Sequence, residues 1–366
     1  MLPLVCLVQQ PPEAEKASAQ SLIERRAKEK SPVWVDGNTA TFFYRGYAEE
    51  VKLFIGGEEV KLHRLSDSDV WTATVTKPDM AKGIFTYAIM PGKKNEPIQG
   101  KQFHFQRWRG PQAPPAAARV KELKGQLRTV DFESKALGEK RKVRVYLPPG
   151  HDRTKTYPVI YATDGNDGAQ VLEALIVAAK VPPLITVATS SGGYLGDRAA
   201  GYDTHKDLRA LEYLSGFDPK RYAAHEKFFC EEVPTWAERE FGASKHRKDR
   251  AIFGCSNGAR FAVDMGVRHP DFYGHAFAFS VAGRRELPLA DKVNGLPHFH
   301  LAAGNWEIFL QTTKNVATAL EKHGVPVTFI TRIAGHDMAM WDDELAMAAT
   351  RAFGPSAPAA EVTQTR

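Results

Sequence analysis

The chain has 366 residues, 43% of them hydrophobic and 25% charged, with a formal net charge of +6. This is an ordinary globular composition, with chain enough for two domains or for one large domain and a module. The mild positive charge permits anionic ligands, but no Lys/Arg block with interleaved aromatics appears, which sets nucleic acid aside, and no apolar run approaches a transmembrane length.

The first residues, MLPLVCLVQQPPEAEK, form a short apolar run and then a polar, proline-containing break. They read as the tail of an export signal without its basic n-region, or as an N-terminal arm (residues 1–31). An exported location, periplasmic or secreted, is favoured over a cytoplasmic one. Residues 12–31, rich in Glu, Lys, Ala and Arg, suit an exposed helix or a disordered stretch. Cys6, Cys230 and Cys255 allow at most one disulfide, and no Cys-x-x-Cys spacing suggests zinc.

From residue 32 the pattern changes. TATFFYR (39–45), EVKLFI (50–55), VWTATVT (70–76), IFTYAIM (84–90) and KQFHFQ (101–106) are short β-branched and aromatic runs separated by GGEE, SDSD and PGKKNEP. Close strands with turn signals predict a small β-sandwich over 32–108. Its aromatics include Phe42, Phe43, Tyr44, Trp71 and Tyr87. RGPQAPPAAAR marks a linker, placed at 109–126.

Strands then alternate with helices. Strands are predicted at 127–134, 140–149, 157–165, 184–190, 250–256, 274–280, 299–304 and 326–333. Helices are predicted at 169–180, 233–242, 257–270, 308–324 and 341–353. This grammar implies an α/β domain over 127–353, a mostly parallel, doubly wound sheet with helices on both faces, and a flexible tail at 354–366. The long stretch from Ser190 to Glu232 is expected to shape a pocket. GGYLGD (192–197) does not close a nucleotide-binding βαβ unit, and no metal-ligand spacing appears, so no cofactor is expected.

Gly254-Cys255-Ser256-Asn257-Gly258 follows a predicted strand and opens a predicted helix. Small residues at 254 and 258 let the chain turn sharply there, pushing the Ser256 hydroxyl out above the sheet. The Asn257 N–H, at the helix N-terminus, is a donor for an oxyanion. A serine needs a base, and the base an orienting carboxylate, in the order Ser, acid, His. Among His269, His275, His298, His300, His323 and His336, only His336 lies in a loop after the last strand. Glu307, after the preceding strand, is the expected acid, with a carboxylate at a helix N-terminus as the alternative. Asp337 would point away from the His336 ring, and Asp342, Asp343 and Glu344 suit a helix start. TDGNDG (163–168) would supply a second oxyanion N–H near Asn166.

These motifs are familiar together. YPVIYATDG, RALEYLSGFDPKRY, VPTWAEREFG, FGCSNGARFAVDMGVRHPDFYG and VTFITRIAGHDMAMW resemble the putative-esterase (esterase-D-like) family of α/β-hydrolases, above all its enterochelin-esterase-like branch. Residues 34–108 are similar to the immunoglobulin-like domain that precedes the hydrolase there. The resemblance implies a serine carboxylesterase with Ser256, Glu307 and His336 as nucleophile, orienter and base. Many relatives carry Asp where this chain has Glu307. It places Arg209 near the active-site entrance, where an ion pair with Glu212 would equally explain it. Trp341 would line the pocket or pack the last helix. The substrate implied is a trilactone siderophore. The alternatives are a carbohydrate esterase acting on glycan-linked feruloyl or acetyl esters, and a non-catalytic hydrolase-like binding protein. Oligomeric state is not legible.

Overall fold

A computed structural model describes residues 19–66, 68–94, 104–197, 201–284, 287, 289 and 295–355. The expected signal remnant and most of the tail lie outside these residues. Among the described residues no helix is long and apolar enough to cross a membrane.

The chain divides into two units. One comprises residues 1–116 with two later segments, 303–310 and 331–340. The other comprises 117–302, 311–330 and 341–366. The linear division expected from sequence therefore needs one correction, because two short segments of the C-terminal half group with the N-terminal strands. Their backbones pair there: the Ile84 N–H donates to Ile333 O at 2.8 Å, and Asn305 N–H to Arg332 O at 2.7 Å.

The first unit opens with helix α1 (Ala19–Glu29). Seven strands follow: β1 (Val33–Asp36), β2 (Thr39–Arg45), β3 (Glu50–Ile55), β4 (Glu58–Arg64), β5 (Val70–Thr76), β6 (Ile84–Gly92) and β7 (Gln106–Arg109). They run antiparallel in the order β1-β2-β5-β4-β3-β6-β7. Alternation places Phe42, Val51, Leu53, Phe85 and Tyr87 in one buried cluster. Phe42, Phe43, Trp71 and Tyr87 are buried, so only Tyr44 of the five aromatics considered is half-exposed. The β3–β4 hairpin turns on Gly56 (φ 54°) and Gly57 (φ 93°), the pair of positive φ values that a two-residue primed turn requires. Of the last predicted strand, residues 101–103 lie outside the described residues, 104–105 are irregular, and β7 runs into the expected linker.

The second unit holds β8 (Gln126–Ser134), β9 (Glu139–Leu147), β10 (Val159–Ala162), α2 (Ala169–Val177), β11 (Ile185–Thr189), α3 (Leu208–Tyr213), α4 (Pro219–Lys227), α5 (Val233–Phe241), β12 (Arg250–Cys255), α6 (Asn257–Arg268), β13 (His275–Phe279), β14 (His298–Gly304), α7 (Leu310–Lys322), β15 (Val327–Arg332) and α8 (Met338–Phe353). Sheet order is β15-β14-β13-β12-β10-β11-β9-β8. The sheet is mixed: β11, β10, β12, β13 and β14 pair in parallel, while β9 and β8 are antiparallel. Its central strands, β10 to β14, are buried on both faces, as parallel strands between helices must be. Val159 and Tyr161 join the cluster of α5, α6 and α7; the alternate residues Ile160 and Ala162 join that of α2 and α8. The stretch from Ser190 to Glu232, in which the sequence placed no helix, contains α3 and α4.

Candidate active site

β12 is buried at every position, and the chain passes from it straight into α6. Ser256 is the junction. Its backbone sits at φ 59° and ψ −124°, a conformation costly for any residue with a side chain. The flanking glycines explain how the turn closes. A Cβ on Gly254 would stand 2.1 Å from Gly258 O, and one on Gly258 would stand 2.2 Å from Thr163 Oγ1. Ser256 N–H donates to Phe279 O at 3.0 Å, tying the turn to the neighbouring strand. Ser256 and Asn257 are both half-exposed. Asn257 is the first residue of α6, where helix geometry leaves its N–H without an intrahelical acceptor.

The segments 303–310 and 331–340 carry Glu307 and His336. His336 Nδ1 lies 2.7 Å from Glu307 Oε2. The other carboxylate oxygen accepts the Gly304 N–H at 2.7 Å. The Glu307 side chain is 1% exposed and that of His336 27%, so the carboxylate is sheltered while the imidazole reaches the surface of its unit. The Phe309 ring is tilted against His336, centroids 5.1 Å apart. Structure thus brings together the carboxylate and imidazole expected from sequence to pair, 29 residues apart.

Arg209 does not pair with Glu212, contrary to one expectation. It is bidentate on Asp164, with Nε–Oδ1 2.6 Å and Nη2–Oδ2 3.0 Å. Glu212 is fully buried and accepts from Arg141, Arg221 and the Gly192 N–H. Asp164 adopts φ 59°, and its N–H donates to Tyr213 Oη at 3.1 Å. Burial pushes the Tyr213 hydroxyl well above its ordinary value, so it stays protonated. Asp164 is a partner that sequence missed: TDG signals a turn but not what holds it.

The Asn166 N–H does not present itself as an oxyanion donor. It donates to Thr163 O at 3.0 Å, closing the turn after β10. Trp341 is half-buried and packs against the α2/α8 cluster, and its indole N–H donates to Ser280 Oγ at 2.8 Å. The arrangement favours the packing role over the pocket-lining one.

Asp337 does point away from its neighbour's ring, and is 1% exposed. One oxygen accepts Thr86 N–H (2.5 Å) and Thr86 Oγ1 (2.9 Å), the other Ala339 N–H (2.7 Å). Burial pushes its carboxyl above the usual range, with those hydrogen bonds opposing the shift. No local signal could link residues 251 positions apart.

Comparison with known proteins agrees with this architecture. The enterobactin esterase of Shigella flexneri superposes with a TM-score of 0.66 at 16% identity, covering 90% of this chain and 98% of that one. A ferulic acid esterase from Anaeromyces mucronatus superposes with a TM-score of 0.52 at 19% identity, covering 65% and 95%. An endo-1,4-beta-xylanase/feruloyl esterase of Xylanibacter ruminicola is 24% identical over 249 residues, which is 62% of this chain but only 32% of that protein's length. A model described as "Putative esterase" matches residues 134–294. The segment 134–294 is thus similar to the putative esterase family, whose motifs it resembles.

Proposed function

We propose that this chain is a serine ester hydrolase working through an acyl-enzyme, with Ser256 as nucleophile, His336 as base and Glu307 as the acid that orients it. The observation that carries the proposal is the backbone of Ser256, a non-glycine residue held at φ 59° between a buried strand and a helix N-terminus. The Glu307–His336 hydrogen bond supports it, because a carboxylate on Nδ1 is the arrangement that orients a base for a serine.

His336 Nε2 accepts the Ser256 hydroxyl proton as Oγ attacks the ester carbonyl. The negative charge that develops on the carbonyl oxygen is met by the Asn257 N–H and the positive end of α6. The tetrahedral intermediate collapses, and the alcohol leaves with the proton from His336. Water, deprotonated by the same imidazole, then frees the acid and restores Ser256. Arg209 contributes by holding the Asp164 turn, and Trp341 by holding the Ser280 turn.

The preferred substrate class is a catecholate trilactone of the enterobactin type. Likeness to the enterobactin esterase extends over 90% of the chain, against 65% for the ferulic acid esterase. The N-terminal strand order also supports this. β1-β2-β5-β4 followed by β3-β6-β7 is the ABED and CFG order of a constant-type immunoglobulin sandwich, which supports an immunoglobulin-like module. Glycan-linked feruloyl esters are the second reading, supported by the sequence match to the xylanase/feruloyl esterase.

Fluorophosphonate labelling tests the nucleophile: wild type should be labelled on Ser256, and Ser256→Ala should lose both labelling and aryl-ester turnover while keeping its circular dichroism. Turnover surviving in Ser256→Ala would end the proposal, and failure to label the wild type would favour a non-catalytic binding protein. Product chromatography with a catecholate trilactone and with feruloylated oligosaccharide then separates the substrate classes.

A further inference from the structure

The loop bearing His336 is fastened on both sides by the N-terminal strands. Ahead of it, Ile84 of β6 bridges Ala334 in parallel and donates its N–H to Ile333 O at 2.8 Å. Gly335 lies against the β3–β4 turn so closely that a Cβ there would be 2.9 Å from Gly56 O. A Cβ on Gly57 would lie 3.6 Å from the Cβ of His336 itself. Behind it, Asp337 takes both the N–H and the hydroxyl of Thr86 on β6, and its other oxygen caps the first turn of α8 through Ala339. The companion loop is held likewise. Trp306, beside Glu307, donates its indole N–H to Pro78 O at 3.0 Å, and its backbone N–H to Ala334 O at 2.9 Å.

A loop after the last strand of a sheet is free to move unless something pins it. Here the pins sit one and two residues from the imidazole. We propose that Thr86 and Asp337 are positioning residues for the base: the N-terminal unit clamps the His336 loop so that the imidazole keeps its register with Glu307. This rests on His336 being the base, as proposed above. Asp337 is suited to the task because a buried carboxylate must keep its donors, so the contact with Thr86 is costly to break. Positional errors near 1 Å in a catalytic group cost on the order of a hundredfold in rate.

The test compares full-chain variants on a soluble aryl ester. Thr86→Val deletes one hydroxyl, leaves the strand's β-branched shape, and should lower kcat about tenfold with KM within about twofold of wild type. Thr86→Ser, which restores the hydroxyl, should recover most of kcat. Val70→Ala, in the separate cluster of Leu22, Trp34 and Phe43, should lower thermal stability at least as much as Thr86→Val while keeping kcat. Asp337→Asn should follow Thr86→Val in kcat. Because it also disturbs the helix cap, Thr86→Val decides the matter if Asp337→Asn fails to fold. The inference is overturned if Thr86→Val keeps wild-type kcat, or if Val70→Ala loses kcat in step with it. If His336→Ala itself retains turnover, the assignment of the base is what fails.

Discussion

Ser256 owes its conformation to neighbours that have almost no side chain. Gly258 is hemmed in by side chains, since a Cβ there would also stand 2.9 Å from Asp164 Oδ2. Thr163, its first contact, is 1% exposed and has nowhere to retreat. Gly258→Ala should therefore lower stability by about 1–3 kcal/mol, read as a fall in Tm, with activity falling alongside. Glu307 offers a cleaner separation of charge from shape. In Glu307→Gln one amide atom must still accept the Gly304 N–H, so the NH2 faces His336 Nδ1 and donates to it. That leaves the ring proton on Nε2, the nitrogen proposed to accept from serine. Turnover should drop about a thousandfold in kcat with KM little changed, measured by steady-state kinetics on an aryl ester. The turn at Ser256 and the pairing of Glu307 with His336 were legible in sequence because each lies at a strand end and chain order restricts the choice. The partner of Arg209 was not legible, because the nearer carboxylate, Glu212, is drawn off by Arg141 and Arg221.

Among the elements, buried strands and amphipathic helices were read within a few residues of their true ends. The omissions share a cause. β1 is only four residues long. β4, EEVKLHR, turns just Val60 and Leu62 inward, and its charged outer face resembles a turn. α8 begins at Met338 rather than at residue 341, because the Asp337 carboxylate caps it and Gly335 does not interrupt it. The central strands carry a chemical liability in return for their burial. His300 on β14 is 3% exposed and its pKa is pushed down to about 2, by burial and then by His298 and His275. His275 on β13 is pushed down to about 4 by burial first, and His225 of α4 to about 3. All three are neutral in the folded chain. Unfolded, each takes up a proton near pH 6.5, so the unfolded state binds more protons below that value. Their contribution to stability is complete above about pH 6.5 and falls as pH drops from there toward 4, each histidine weighing about 1.4 kcal/mol per pH unit once well below 6.5. Tm should be level above neutrality and decline below pH 6, and His300→Phe should flatten that decline. A Tm equally steep in His300→Phe would show that this histidine does not set the slope.

At the scale of the molecule, composition and periodicity determined that an antiparallel β unit precedes an α/β unit. The reason is local: the apolar spacing changes from alternation between turns to buried runs separated by helices, and no distant residue is needed to see it. The strand-turn-helix around Ser256 is local for the same reason, its two glycines being demanded by contacts within a few residues and with the adjacent strand end. What tertiary structure alone decided is membership. Residues 303–310 and 331–340 belong with the N-terminal strands, although the sequence places both beyond residue 300. Backbone pairing between Ile84 and Ile333 and the Thr86–Asp337 hydrogen bonds draw them there, and a backbone N–H or a carboxylate announces nothing in sequence about which distant group will satisfy it. The sequence thus named Glu307 and His336, while the fold decided that strands laid down more than two hundred residues earlier hold them in place.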